Sequence, residues 1–216
     1  LQEIATGAGK TIITATLSQL VEPYGRSIVI VPNKSLVTQT EGDYKTLGLD
    51  VGVYYGERKE FDKQHTICTW QSLNNMLKKT KKFEAEVNIG DFLDGVVCVM
   101  IDEVHQAKAD VLKTLLTGPF ASVPIRWGLT GTIPKEDYEM ASLQASLGEV
   151  INKLSASELQ DKGVLANCHV NVVQTQETNV FSTYASEQTH LVTNETRLQF
   201  IACLLYTSDA ADDSQC

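Results

Sequence analysis

The sequence predicts a three-layer α/β domain with a mostly parallel central sheet. Short β-branched runs alternate with helical patterns over residues 1–173, and the runs at 27–31 and 96–101 are apolar throughout. Continuous apolar strands are those covered on both faces, as crossover helices cover them. A glycine-rich turn, Ala5-Thr6-Gly7-Ala8-Gly9-Lys10-Thr11, joins the first strand to the first helix. A pair of carboxylates, Asp102 and Glu103, ends the most apolar strand of the chain.

The elements follow in order. Residues 1–5 are a short strand candidate, and 10–20 a helix stopped near Pro23 and Gly25. Strand 27–31 ends at Pro32, and Asn33 or Ser35 caps the next helix, which runs to about Leu47. Strand 51–55, a polar stretch, strand 66–69 and helix 71–77 come next. The basic cluster at 78–82, Lys-Lys-Thr-Lys-Lys, reads either as a solvated helix end or as a phosphate-contacting patch. Strand 96–101 and helix 108–116 precede strand 125–129, which leads into Thr130-Gly131-Thr132. Helices are expected at 135–147 and 156–162. Residues 168–175 alternate His169 and Asn171 with Val170 and Val172, as an edge strand or an exit from the domain would.

From Gln174 the composition turns polar, so 174–186 is expected as a linker. Residues 187–205 read as one amphipathic helix leading toward a second domain. Residues 206–216 are expected to be a disordered tail. That tail also looks like translated sequencing-adapter read-through, in which case it is not native sequence. The chain begins with Leu1 already in a strand pattern, so the domain is expected to be cut just before it.

Composition sets bounds. A chain of 216 residues, 43% hydrophobic and 21% charged, can bury one sizeable α/β core. It holds no apolar run long enough to span a membrane and no signal-peptide pattern, so a cytoplasmic location is expected. Cys68, Cys98, Cys168, Cys203 and Cys216 lack metal-site spacing and read as free thiols in a reducing compartment. The net charge of −9 argues against a broad basic face. It leaves room for a nucleic-acid track built from hydroxyls, backbone N–H groups and helix N-termini.

The chemistry starts at the turn. Gly7 and Gly9 permit left-handed backbone and close approach of an anion. The N–H groups and positive end of the following helix then face that anion. Lys10 adds a point charge for β- and γ-phosphates, and the Thr11 hydroxyl can hold Mg²⁺. The pattern is incomplete, because Ile4 stands where the usual first glycine of such a loop would be. An ordinary glycine-rich strand–helix turn is the alternative. Asp102 and Glu103 weigh against it. Ligands of open parallel sheets bind at the carboxyl ends of strands. One carboxylate there can complete an Mg²⁺ shell, and its neighbour can orient and deprotonate a water. The bland reading of Asp102-Glu103 is a helix cap. His65, His169 and His190 read as structural, and Trp70 and Trp127 as core aromatics rather than base-stacking platforms.

Taken together, these residues resemble a known family. Thr6–Thr11, Asp102-Glu103-Val104-His105 and Leu129–Thr132 look like motifs I, II (the DExH form) and III of superfamily 2 helicases. The segments 31–39 and 68–73 resemble motifs Ia and Ib, and order and spacing agree. Thr-Trp-Gln-Ser-Leu, Asp-Glu-Val-His and Gly-Leu-Thr-Gly-Thr are most similar to the phage UvsW-type recombination helicases and their bacterial DNA-translocase relatives.

The resemblance implies a RecA-like P-loop NTPase domain over 1–173 that uses ATP and Mg²⁺ to move on or unwind DNA. Thr6, Gly7, Ala8, Gly9, Lys10 and Thr11 would bind ATP. Thr11 and Asp102 would hold the metal, and Glu103 would be the catalytic base. His105, Thr130, Gly131 and Thr132 would couple nucleotide state to DNA grip. Lys34, Ser35, Thr69 and Gln71 would face single-stranded or branched DNA. The family's second RecA-like domain, with its arginine fingers, does not follow the expected linker, so the chain alone is expected to be nearly inactive. Competing readings are a restriction-type duplex DNA translocase, a DExH RNA helicase and a non-catalytic P-loop binding module. If phage-encoded, it would act in the host cytoplasm.

Overall fold

The computed structural model describes residues 1–84, 86–106, 109–134, 136–167, 172 and 179–212. It divides into two compact units, Leu1–Cys168 and His169–Cys216. The first runs β1 (Gln2–Ile4), α1 (Lys10–Val21), β2 (Arg26–Val31), α2 (Lys34–Thr46), β3 (Val51–Tyr55), β4 (Arg58–Lys59) and β5 (His65–Thr69). It continues through α3 (Trp70–Lys81), α4 (Ile89–Leu93), β6 (Val96–Ile101), a 3-10 turn at Val104–Gln106 and α5 (Ala109–Thr117). Then come β7 (Ile125–Thr130), α6 (Asp137–Leu147), β8 (Asn152–Leu154) and α7 (Ala156–Asp161).

The strands form one eight-stranded sheet in the order β4-β3-β5-β2-β6-β7-β1-β8. The described pairings are parallel except the β3–β4 hairpin. Alternation along β2 shows the layering. Ile28 and Ile30 pack on one face with Leu73 and Met76 of α3, Phe92 of α4, Leu112 and Leu115 of α5 and Leu143 of α6. Val29 and Val31 pack on the other with Ala15 and Val21 of α1 and Val37 and Tyr44 of α2. Two apolar faces are what a strand free of outward polar residues needs. The expected α/β, mostly parallel architecture is therefore present.

Local chemistry sets the helix starts. The Asn33 side chain accepts from the Leu36 N–H to cap α2, and the Thr69 hydroxyl accepts from the Ser72 N–H to cap α3. Lys78, Lys79 and Lys81 occupy the last turn of α3, where cations suit the negative helix end. That helix extends well past the expected 71–77, because the lysines prolong it rather than break it. Three short elements escaped the sequence reading: β4, α4 and β8. Strands of two and three residues carry no readable alternation, and they exist through pairing with longer neighbours.

His65 is buried as expected, with Nδ1 2.8 Å from the Ser27 hydroxyl and Nε2 2.8 Å from Glu22 Oε1. Trp70 and Trp127 are partly buried against the two cores. Cys68 and Cys98 are buried thiols, and burial pushes Cys98 up to about 11. Cys203 departs from that pattern and is exposed. Among the described residues, no helix is long and apolar enough to cross a membrane.

In the second unit α8 (Tyr184–Thr193) and α9 (Glu195–Asp212) replace the single expected helix over 187–205. Asn194 breaks it by taking extended backbone, and its side-chain oxygen accepts from the Arg197 N–H to start α9. Helix α9 continues through residues expected to be a tail. The expected strand at 168–175, with His169 and Cys168, lies outside the described residues apart from Val172. So do 174–178 of the expected linker and the end of the tail with Cys216.

One ion-pair group fastens α2 to the β3–β4 corner. Glu41, almost fully buried, accepts from Arg58 at 2.8 Å and 2.9 Å and from Lys45 at 2.6 Å. The Arg58 hydrogen bonds, followed by those of Lys45, hold the Glu41 carboxyl down to about 2, below its ordinary 4.5. A depressed folded pKa means stability that is fully present above the unfolded value and lost as pH falls through the folded one. The stability deficit of Glu41→Gln relative to wild type, from urea midpoints, should be constant above about pH 4.5 and shrink toward pH 2. A deficit independent of pH would contradict this account.

Candidate functional site

Parallel pairing sends the carboxyl ends of β1, β6 and β7 to one edge of the sheet, with β7 lying between the other two. The loops that leave these ends meet there. After β1, Gly7 and Gly9 both take φ of 82°, in the left-handed region where a side chain is strained. Gly9 is the N-cap of α1 and offers no side-chain cap. The first N–H groups of this 12-residue helix thus lack a side-chain acceptor at the cap. Thr6 and Gly7 are exposed in the loop, while Ala8, Gly9 and Thr11 are half-buried.

Lys10 is 9% exposed, and its Nζ lies 2.5 Å from Glu103 Oε1. Asp102 follows β6, held by its N–H to the Ile30 carbonyl at 2.9 Å. Its Oδ1 accepts from the Glu103 N–H at 2.9 Å. Burial raises the Asp102 carboxyl above its ordinary value; Lys10 opposes that rise and Glu103 adds to it. Glu103 has φ of 48°, a left-handed conformation uncommon outside glycine. This sharp turn directly follows the strand, and the Glu103 side chain reaches Lys10 across the position of β7.

The third loop closes the arrangement. His105 Nδ1 lies 2.8 Å from the Thr130 hydroxyl and 3.5 Å from Glu103 Oε2. The Thr130 hydroxyl donates to the Thr132 carbonyl at 2.7 Å and accepts from the Thr132 N–H at 3.2 Å. Its one proton is thereby used, so His105 Nδ1 is the donor in their bond. Gly131 passes so close to the loop after β1 that a Cβ there would stand 3.0 Å from the Thr6 hydroxyl. Lys10, Glu103, His105, Thr130, Gly131 and Thr6 therefore form one connected rim.

A second group of sequence-predicted residues lies at the carboxyl ends of β2 and β5. Lys34 and Ser35 are exposed at the start of α2, and Gln71 is exposed at the start of α3. The Gln71 amide donates to the Pro32 carbonyl at 3.2 Å, tying the two helix starts together. Thr69 differs from its neighbours, being 6% exposed with its hydroxyl spent on Ser72. It positions α3 rather than presenting a contact surface.

Two features of the site had no signal in the sequence. Leu165 packs over the glycine loop, where a Cβ on Gly7 would stand 3.1 Å from its Cδ2. A cleft beside Thr6 and Gly131 is bounded by Lys153, Ser155 and Glu158, which β8 and the start of α7 bring in. Both depend on tertiary placement of short segments.

Among the described residues, no group of three His, Cys, Asp or Glu side chains could hold a metal unaided. One carboxylate and one hydroxyl beside an anion loop is instead the donor set of a cation shared with phosphates. Asp102 fits such a role, being substantially buried and raised by desolvation, so that a cation would be welcome beside it.

The family model described as "Type III restriction enzyme, res subunit" matches residues 1–135. Among solved structures, the chain is similar to the UvsW helicase from bacteriophage T4, with TM-score 0.58 and 18% identity over 70% of this chain and 53% of that one. It is similar to the Hef helicase domain of Pyrococcus furiosus, with TM-score 0.55 and 19% identity over 70% of this chain and 33% of that one. A hypothetical ATP-dependent RNA helicase from Sulfolobus tokodaii gives TM-score 0.52 and 19% identity over 70% of this chain and 47% of that one. These likenesses bear on the fold. The chain spans about half or less of the length of these structures. No curated protein matches it significantly.

Thr130 is fully buried and saturates its hydroxyl with His105 and Thr132. Thr130→Val keeps the shape and loses these bonds, but His105 and Thr132 are exposed and can turn to water, so it should cost about 0.5–1.5 kcal/mol in chemical denaturation. Thr130→Ser should recover most of the loss. A Val variant as stable as wild type would show that the bonds across this rim carry no stability.

Proposed function

Because the chain belongs to the family of the type III restriction enzyme res subunit, and its first unit is the RecA-like domain of a superfamily 2, helicase-type ATPase, we propose that it is the ATP-binding motor half of a DNA helicase or translocase. The observation that carries the reading is the largely buried ion pair of Lys10 with Glu103 at the start of α1, beside two left-handed glycines. It sets a phosphate-binding cation and a candidate base within one contact.

The roles follow from the positions. The loop Thr6–Thr11 and the start of α1 bind the triphosphate, and Lys10 neutralises its outer charges. Thr11 and Asp102 would hold Mg²⁺, which when bound offsets phosphate charge. Glu103, once Lys10 turns to phosphate, is a carboxylate able to orient and deprotonate the attacking water. His105 reports the state of Glu103 to Thr130, Gly131 and Thr132 through the hydrogen bonds of the rim. Lys34, Ser35 and Gln71, with the N–H groups of α2 and α3, take the phosphates of a DNA strand without reading its bases; Thr69 holds α3 in place for them.

A second RecA-like domain completes the site in this reading and supplies an arginine finger, worth on the order of 10³–10⁵ in rate in comparable phosphoryl transfer. A first unit without such a domain therefore binds nucleotide but turns it over slowly. A second reading, movement on duplex DNA without strand separation, is favoured by the description of the matching family. Strand displacement on forked against blunt duplexes separates the two. Action in the cytoplasm, the host's if the chain is phage-encoded, belongs to the same proposal.

The test is DNA-stimulated ATPase activity of the full-length protein carrying Glu103→Gln. Loss of a positioned general base predicts a fall of about 10²–10⁴ in kcat with nucleotide binding retained. Undiminished stimulated activity would refute Glu103 as the base, whereas no ATPase activity in the wild type would leave a non-catalytic binding module.

A further inference from the structure

The basic cluster at 78–82 has no part in the nucleotide site, and the structure gives it a surface of its own. Lys78 and Lys79, in the last turn of α3, line a groove of about 290 Å³ together with Lys59 of β4. Met76 and Val87 give it an apolar wall, and Asn75 and Ser72 add an amide and a hydroxyl. The acid at its edge is Glu86, 2.9 Å from Lys59 and 79% exposed. Such an exposed pair is weak and readily exchanged for another anion. In a chain of net charge −9, three lysines around one groove are a local reversal of sign.

Two contacts join this groove to the exposed starts of α2 and α3. Ser72 in its wall lies 2.9 Å from the Thr69 hydroxyl at the α3 cap. Gly56, another lining residue, follows Tyr55, whose ring centre lies 5.6 Å from the Lys34 ammonium at the start of α2. The groove thus begins where the candidate strand-binding face ends. Tyr54, also in the lining, is 8% exposed and packs edge-on to Phe92 at 5.2 Å, so its ring has no free face for a base. What the groove offers a ligand is cations and hydrogen-bond donors.

We propose that a nucleic-acid strand crossing the starts of α2 and α3 continues into this groove, where Lys59, Lys78 and Lys79 hold its next phosphodiester groups. The inference rests on the reading of Lys34, Ser35 and Gln71 as a strand-binding face, and it lengthens that face toward the β4 edge of the sheet. It predicts contacts that raise affinity on longer strands and carry no sequence preference.

The test measures binding of the 216-residue chain to two single-stranded oligonucleotides. One is the shortest that binds wild type, and the other is several nucleotides longer. Lys78→Gln/Lys79→Gln should bind the short strand as wild type does. It should weaken on the long one, with a salt dependence shallower by about 0.7 per lost phosphate contact. Lys78→Arg/Lys79→Arg should restore the long-strand affinity, and Lys34→Ala should weaken both strands. Unchanged helix content by circular dichroism would show that each variant is folded. Equal long-strand binding by the Gln variant, with Lys34→Ala still impaired, would overturn the groove and leave the strand-binding face standing. No binding of either strand by wild type would overturn that face and the groove with it. Tripolyphosphate bound at the lysines without competing against the long strand would mark an isolated anion site and overturn the continuity.

Discussion

The site turns on one ion pair. Lys10 and Glu103 stand 93 residues apart in the chain and meet at 2.5 Å with 9% and 16% of their side chains exposed. Taking two charges this far from water costs free energy that their attraction offsets only with good geometry. Glu103 adds a left-handed backbone at φ of 48°, a conformation that costs on the order of 1–3 kcal/mol away from glycine. Nothing in packing alone asks for either feature. An apolar pair at these positions would suit stability as well, so the proposed phosphate-handling role gives the arrangement a reason that packing does not.

The sheet makes that pair possible. Strands β1 and β6 are not neighbours; β7 separates them. The loop after β7 therefore sits between the two charged loops, and it is built small and hydroxylated. Gly131 admits close approach to Thr6, and Thr130 spends its hydroxyl on His105 and Thr132. A change in the Lys10–Glu103 contact has a direct route to His105 and on to this loop. Because all three loops leave parallel strands, the same edge also carries the starts of α2 and α3. The proposed nucleotide site and the proposed strand-binding face thus share one edge by topology.

Much of this was legible in the sequence. The placement of the glycines, Lys10 and Asp102-Glu103 at strand ends and helix starts could be read from the sequence. The β2 and β6 strands were legible because residues covered on both faces are apolar without interruption. What was not legible arises from tertiary placement. Strand β8 exists because β1 offers an edge, and Leu165 covers Gly7 because the chain after α7 returns there. Thr69 read as a contact residue from its motif position, yet its hydroxyl caps α3. Asn194 broke a helix that periodicity had drawn as continuous, since an Asn side chain offers a cap in place of a further turn.

The central claim is that Lys10 serves phosphate as well as Glu103. Titrating the chain with fluorescent adenosine triphosphate and monophosphate in the presence of Mg²⁺, for wild type and Lys10→Met, tests it most directly. The account predicts that wild type prefers the triphosphate by a wide margin and that Lys10→Met loses most of this preference while keeping its fold. Equal affinity of wild type for the two nucleotides, or a preference unchanged in Lys10→Met, would contradict it.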